Sequence, residues 1–204
     1  MAWALSTDPH VIKIVSSWES ELSINRDNHK VPSVLTYDKK SGQVTSWGYK
    51  LEHRKHYISW FKLALSKHAA DMVAKDQPER VERLDKLFSE YGKGPVDVAA
   101  DYLRCLWTHT EKSIIRTIGR EMWENVNLKI VLTVPAIWDY AAQEQTRRAA
   151  KMAGLLGRKG TTLELVGEPE AAALSVFDEL ERQRRPSLKV CATLKHSEPF
   201  SMLI

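Results

Sequence analysis

The stretch that most restricts the fold is KIVLTVPAIWDYAAQEQTRRAAKMAGL, residues 129–155. Residues 130–134 form a strongly apolar run, broken only by Thr133 and rich in β-branched side chains, the pattern of a buried strand. Pro135 ends it, because a proline cannot donate to a sheet ladder. From Asp139 onward small and polar residues alternate at helical spacing, which predicts a helix over 139–153. A second strand at 162–166 (TLELV) and a helix opening at Glu168 repeat the order. Strand–helix–strand–helix predicts an α/β fold. Small residues where a strand hands over to a helix serve either close packing or the approach of backbone to a phosphate or a neighbouring lobe.

The remainder of the chain divides around that run. Residues 2–5 and 11–15 flank a turn-rich Ser-Thr-Asp-Pro and predict a hairpin. Residues 31–37 (VPSVLTY) and 44–48 read as strands joined by Ser41-Gly42-Gln43. Residues 57–91 favour helices with a break near Gln77-Pro78, and Tyr91-Gly-Lys-Gly-Pro95 marks a subdomain boundary. Beyond it Leu103, Leu106, Trp107, Thr110, Ile114, Ile118 and Met122 recur at helical spacing, predicting a long amphipathic helix. Residues 191–204 show no period and read as an irregular tail.

Composition closes off several function classes. The net charge of +4 comes from interleaved signs, as in ERVERLDK at 79–86, which suits a solvated helix face and argues against a nucleic-acid stripe. Two cysteines, Cys105 and Cys191, make neither a disulfide framework nor a metal cluster and fit a reducing compartment. The longest apolar run, 130–138, is too short to cross a bilayer, and the first ten residues lack the pattern of a secretory signal. A cytoplasmic protein without membrane or nucleic-acid partners is the expectation.

Three places carry candidate chemistry. Glu168 stands at or beside a helix N-cap with Pro169 at the first helical position, where the positive helix end favours a carboxylate; the plainer reading is a capping residue. Pro135 closes a strand at the end where open α/β sheets bind ligands; the plainer reading is a terminator. Lys62, in WFKLAL, has a stem among apolar neighbours and an ammonium free to hold a phosphate as a point charge; the plainer reading is a snorkelling surface lysine. GLLGRKGTT at 154–162 has the composition of a P-loop without the Gly-Lys-Ser/Thr order and reads as a turn. His53 and His56, separated by two cations, read as no metal site.

Taken together, IVLTVPAIW at 130–138, the helix ending RAAKMAGL, and GEPEAAAL at 167–174 resemble the nucleotide-binding domain of the heat-shock protein 70 chaperones, in particular the divergent heat-shock-70-like branch. The resemblance covers about residues 1–190. It implies an actin-like ATPase (ribonuclease H-like) fold and, within it, lobe I: a sheet-and-helix subdomain from 1–30 and 95–188, a smaller inserted one from 31–94, and an irregular tail at 189–204. It implies ATP and magnesium as cofactors, Lys62 on the phosphates, Glu168 organising magnesium and water, and Pro135 passing the nucleotide state between lobes. Gln143 stands on the helix after the proline where the family often has a basic residue. No residue of the chain is implied as a direct metal ligand.

The resemblance also sets expectations of loss. The family's two glycine-rich phosphate loops would lie before Met1 and after Val190, which predicts an impaired ATPase. A central strand would be missing, leaving an open sheet edge and apolar surface that a protein partner or a second copy could cover. The competing reading is a non-catalytic protein-interaction module.

Overall fold

The structure, a computed structural model, describes residues 1–20, 28–51, 57–184 and 200–203. Cys191, the His53/His56 pair and residues 189–199 of the expected tail lie outside the described residues. Eight strands and six α-helices follow in chain order among the described residues: β1 (Ala2–Leu5), β2 (Asp8–Ile14), β3 (Val34–Tyr37), β4 (Val44–Trp47), β5 (Ile58–Ser59), α1 (Lys67–Asp76), α2 (Pro78–Tyr91), α3 (Pro95–Ile118), α4 (Arg120–Asn125), β6 (Leu128–Val134), α5 (Tyr140–Met152), β7 (Thr162–Gly167), α6 (Glu168–Arg184) and β8 (Phe200–Leu203). The strands form a five-stranded sheet in the order β2-β1-β8-β6-β7 and a three-stranded sheet in the order β4-β3-β5. The fold is mixed α/β.

The larger sheet is mixed. β6 and β7 run parallel in register from Lys129↔Thr162 to Val134↔Gly167, so their C-terminal ends stand side by side. β1 and β2 form the expected hairpin. β2 starts at Asp8, earlier than the sequence suggests, and tolerates Pro9 because it is an edge strand. β6 alternates along its length: Leu128, Ile130, Leu132 and Val134 are buried, while the residues between them are partly open. Its buried face shares one core with α3 and α5, including Ala142, Ala149 and Ala150 at 0% exposure.

β8 corrects the sequence reading in two respects. Residues 200–203, expected to be irregular, form a strand. They also occupy the middle of the sheet, where a gap was expected: Trp3 pairs antiparallel with Met202, and Ile130 pairs parallel with Met202. The physical reason is the pair of unsatisfied edges on β1 and β6, whose N–H and C=O groups template any extended segment within reach.

The helices end where the sequence punctuates them. Pro78 starts α2 at its first position, and Gly92, left-handed at φ 61°, closes it by donating its N–H to the carbonyls of Phe88 and Ser89. Pro95 starts α3, with the Asp97 carboxylate accepting from the Gly94 N–H at 2.8 Å. The predicted apolar stripe is buried at Leu106, Trp107, Thr110 and Ile114. It ends before Met122, which falls in α4, beyond Gly119 at φ 84°, and is exposed.

Candidate functional site

Lys62 reaches its position through a strained turn. β5 ends at Ser59, and Trp60 adopts φ 64°, left-handed and unusual for a bulky residue. That reversal sends Phe61 into the core at 4% exposure and leaves Lys62 outside. Lys62 then opens a 3-10 turn at Leu63–Leu65, followed by α1, whose N-cap Ser66 accepts from the Ala69 N–H at 3.2 Å.

Glu168 arrives from the other sheet. β7 ends at Gly167 and α6 begins at once with Glu168 and Pro169, so the carboxylate stands in the first turn at the C-terminal edge of the parallel strands. Lys62 Nζ donates to Glu168 Oε1 at 2.7 Å across 106 positions of sequence. Both side chains are about half exposed, at 50% and 46%. An exposed pair of this kind contributes at most about 1 kcal/mol, so an anion competing for Lys62 displaces the carboxylate at small cost.

The segment after Pro135 supplies a wall to this pair. Pro135 directly follows β6, and its carbonyl accepts from the Trp138 N–H at 3.1 Å. The Trp138 ring, 5% exposed, lies under the ammonium of Lys62 at 5.7 Å. Asp139 caps α5 by accepting from the Ala142 N–H at 2.8 Å. Gln143, half-buried one turn on, donates its side-chain amide to the Trp138 carbonyl at 3.3 Å, which ties the start of α5 to the segment after the proline. The structure therefore brings Lys62 and Glu168 into contact, and joins Pro135 and Gln143 to them through Trp138. Trp138 was missed as a site residue; its signal was an aromatic three positions after a strand-ending proline.

The arrangement can hold an anion and water. Lys62 offers a point charge, and Glu168 offers a carboxylate acceptor at a helix N-terminus. Among the described residues no group of three His, Cys, Asp or Glu side chains could hold a metal ion. A magnesium ion that keeps most of its waters and leans on substrate phosphates needs only one or two carboxylates, which Glu168 fits. The 154–160 segment takes no part. Gly154 and Gly160 sit at φ 87° and 80°, and Arg158 donates to the carbonyls of Trp123, Glu124 and Val126 while stacking on the Trp123 ring at 4.5 Å. It is a structural turn. No helix among the described residues is long and apolar enough to cross a membrane.

Comparison with known proteins finds relatives of the chain as a whole. No protein-family model matches the chain, and no solved structure matches it. Among curated proteins, human heat shock 70 kDa protein 12B is 29% identical over 187 residues, covering 85% of this chain and 25% of that protein. The chaperone protein HscA homologue of Shewanella woodyi is 30% identical over 179 residues, 83% of this chain and 27% of that protein. The HscA homologue of Vibrio parahaemolyticus is 28% identical over 182 residues, with 83% and 27% covered. The chain spans about a quarter of the length of these relatives. With likeness of this extent to two branches of one lineage, the chain belongs to the heat-shock protein 70 family, as a divergent member.

Proposed function

We propose that the chain is an ATP-binding segment of a heat-shock-70-type chaperone, equivalent to most of lobe I of its actin-like ATPase domain. Residues 1–30 and 95–188 form the sheet-and-helix subdomain, and 31–94 the smaller inserted one. The observation that carries this reading is the 2.7 Å approach of Lys62 to Glu168, which joins residues from two sheets at the C-terminal ends of β6 and β7. ATP with magnesium, when bound, supplies the phosphoanhydride whose hydrolysis such a chaperone uses. Lys62 orients the terminal phosphate as a point charge, and Glu168 accepts a hydrogen bond from water beside it, since phosphoryl transfer asks for positioning and charge. Pro135 and Gln143 couple the site to α5 through Trp138. Two charged side chains alone bind a phosphate weakly, so we read an ATPase that rests on this pair as impaired.

A second reading rests on a different surface. Val11, Ile12 and Ile14 of β2, and Leu174, Val176, Phe177 and Leu180 of α6, are exposed. A partner protein or a second copy covering them would make the segment an interaction module.

Calorimetric titration with ATP and magnesium decides between the two. The expected result is saturable binding that weakens about tenfold or more in Lys62→Ala, the loss of one charge-assisted contact. Absence of heat from a folded protein, or binding indifferent to Lys62, defeats the nucleotide reading and leaves the interaction module.

A further inference from the structure

A polar cavity lies beside the turn that positions Lys62, with Trp60 of that turn in its lining. It measures about 260 Å³ and lies between the β5 segment and one face of α2. Tyr57, Ser59 and Trp60 line it from the strand side; Glu79, Arg80 and Arg83 line it from the helix. Arg80 and Arg83 are three positions apart and so share a face of α2. The Arg80 guanidinium stacks on the Trp60 ring with its central carbon 4.2 Å from the ring centroid. That stacking fixes the plane of the fork while its N–H groups stay available. Arg83 is exposed and forms no ion pair among the described residues. Tyr57 and Ser59, which also line the cavity, each carry a hydroxyl able to donate.

Trp60 has the left-handed φ of 64° and is 53% exposed. Strain in a bulky residue persists where the surroundings demand it, and it gathers at ligand-binding positions. Here the strain serves two ends at once, aiming Lys62 at Glu168 and holding the indole as a platform for Arg80.

We propose that this cavity binds a phosphate monoester, a dianion held in the forks of Arg80 and Arg83 with hydroxyl donation from Tyr57 and Ser59. Paired arginines match phosphate oxygens bidentately, which a single ammonium cannot do. Size points to the ligand class: pockets for drug-sized ligands start at roughly 300 Å³, so this one of about 260 Å³ suits a phosphate on a short stem better than a whole nucleotide. The site is thus distinct from the one proposed for ATP and does not depend on that reading. Glu79 lines the same cavity, and its charge opposes the anion.

The test titrates the full chain with three probes: inorganic phosphate, phenyl phosphate, and the peptide acetyl-Gly-phosphoserine-Gly-amide beside its unphosphorylated form. The expected result is saturable binding at millimolar concentration or below that weakens about tenfold in Arg83→Glu, strengthens in Glu79→Gln, falls as salt is raised, and persists in Lys62→Ala. Tighter binding of the phosphopeptide than of phenyl phosphate marks a phosphorylated partner chain as the source, and the reverse order marks a small molecule. Trp60→Gly relaxes φ and removes the platform, so it weakens binding while the thermal midpoint holds. If Arg83→Glu fails to fold, Glu79→Gln and Trp60→Gly decide. Binding indifferent to Arg83 and Glu79, binding lost only with Lys62, or no binding of any probe overturns the proposal.

Discussion

On α3, Asp101 gathers three donors around one carboxylate. Oδ2 accepts from the Tyr37 hydroxyl at 3.0 Å and from Lys93 Nζ at 2.6 Å, and Oδ1 accepts from Arg104 at 2.5 Å. The Asp101 side chain is 10% exposed, so this cluster pins β3 and the end of α2 to the long helix from inside. Burial alone would raise the Asp101 carboxyl, but hydrogen bonds from Lys93, Arg104 and Tyr37 outweigh it and hold the group below the usual carboxylate range. The Tyr37 hydroxyl is pushed far above its ordinary value by burial, then by the charge of Asp101 and its hydrogen bond. A depressed carboxyl stabilises the fold above its unfolded value of about 3.9, and that stability is lost as pH falls through the folded value. Asp101→Asn is therefore expected to cost about 3 kcal/mol at neutral pH and to flatten the loss of stability below about pH 4. Urea unfolding at pH 7 and pH 3 measures both; an unchanged acid limb would show that other carboxylates carry it. Nothing local in ADYLRC announces this role, because the partners lie up to 64 positions away. Lys62 and Glu168 were hidden in the same way. Each taken alone favours a plainer reading, and only the family pattern pairs them in advance of the fold.

Elements were easier to read than residues. β6, α5 and β7 fall within a residue or two of their expected bounds, since an apolar run, a proline and a change of period each have a direct backbone consequence. The break at Pro78 and the boundary at 91–95 are legible for the same reason. The alanines of α5 now have a physical account. Ala142, Ala149 and Ala150 are fully buried in the core shared with α3, so their small size sets how closely the two helices approach. Ala171, Ala172 and Ala173 of α6 are open or half-open and do no such work among the described residues. Ala149→Leu is expected to overpack the α3–α5 contact and destabilise by about 1–3 kcal/mol. Ala172→Leu, on an exposed position, is expected to stay within about 0.5 kcal/mol. Chemical denaturation of the two variants side by side measures the contrast; equal losses would refute the packing account.

At the scale of the whole molecule the sheet is closed by residues from both ends of the numbered chain. FSML at 200–203 is too short for its alternation to mark a strand, and its place follows from the edges waiting on β1 and β6 rather than from its own propensity. Met202 pairs with Trp3 on one side and Ile130 on the other. Met202→Pro removes a backbone donor in mid-sheet and is expected to cost about 1–3 kcal/mol, read as a lower urea midpoint together with faster amide exchange in β1 and β6. Retained exchange protection would mean that those edges are satisfied without β8. The pairing of residue 2 with residue 203 has a further consequence for the growing chain. A hairpin such as β1–β2 forms in microseconds. Its inner edge then waits for residue 203 to be synthesised, an interval of about 10–40 s at ribosomal rates of roughly 5–20 residues per second. The time for which that edge stands open to a neighbouring nascent chain is set by the speed of translation, not by any step of folding.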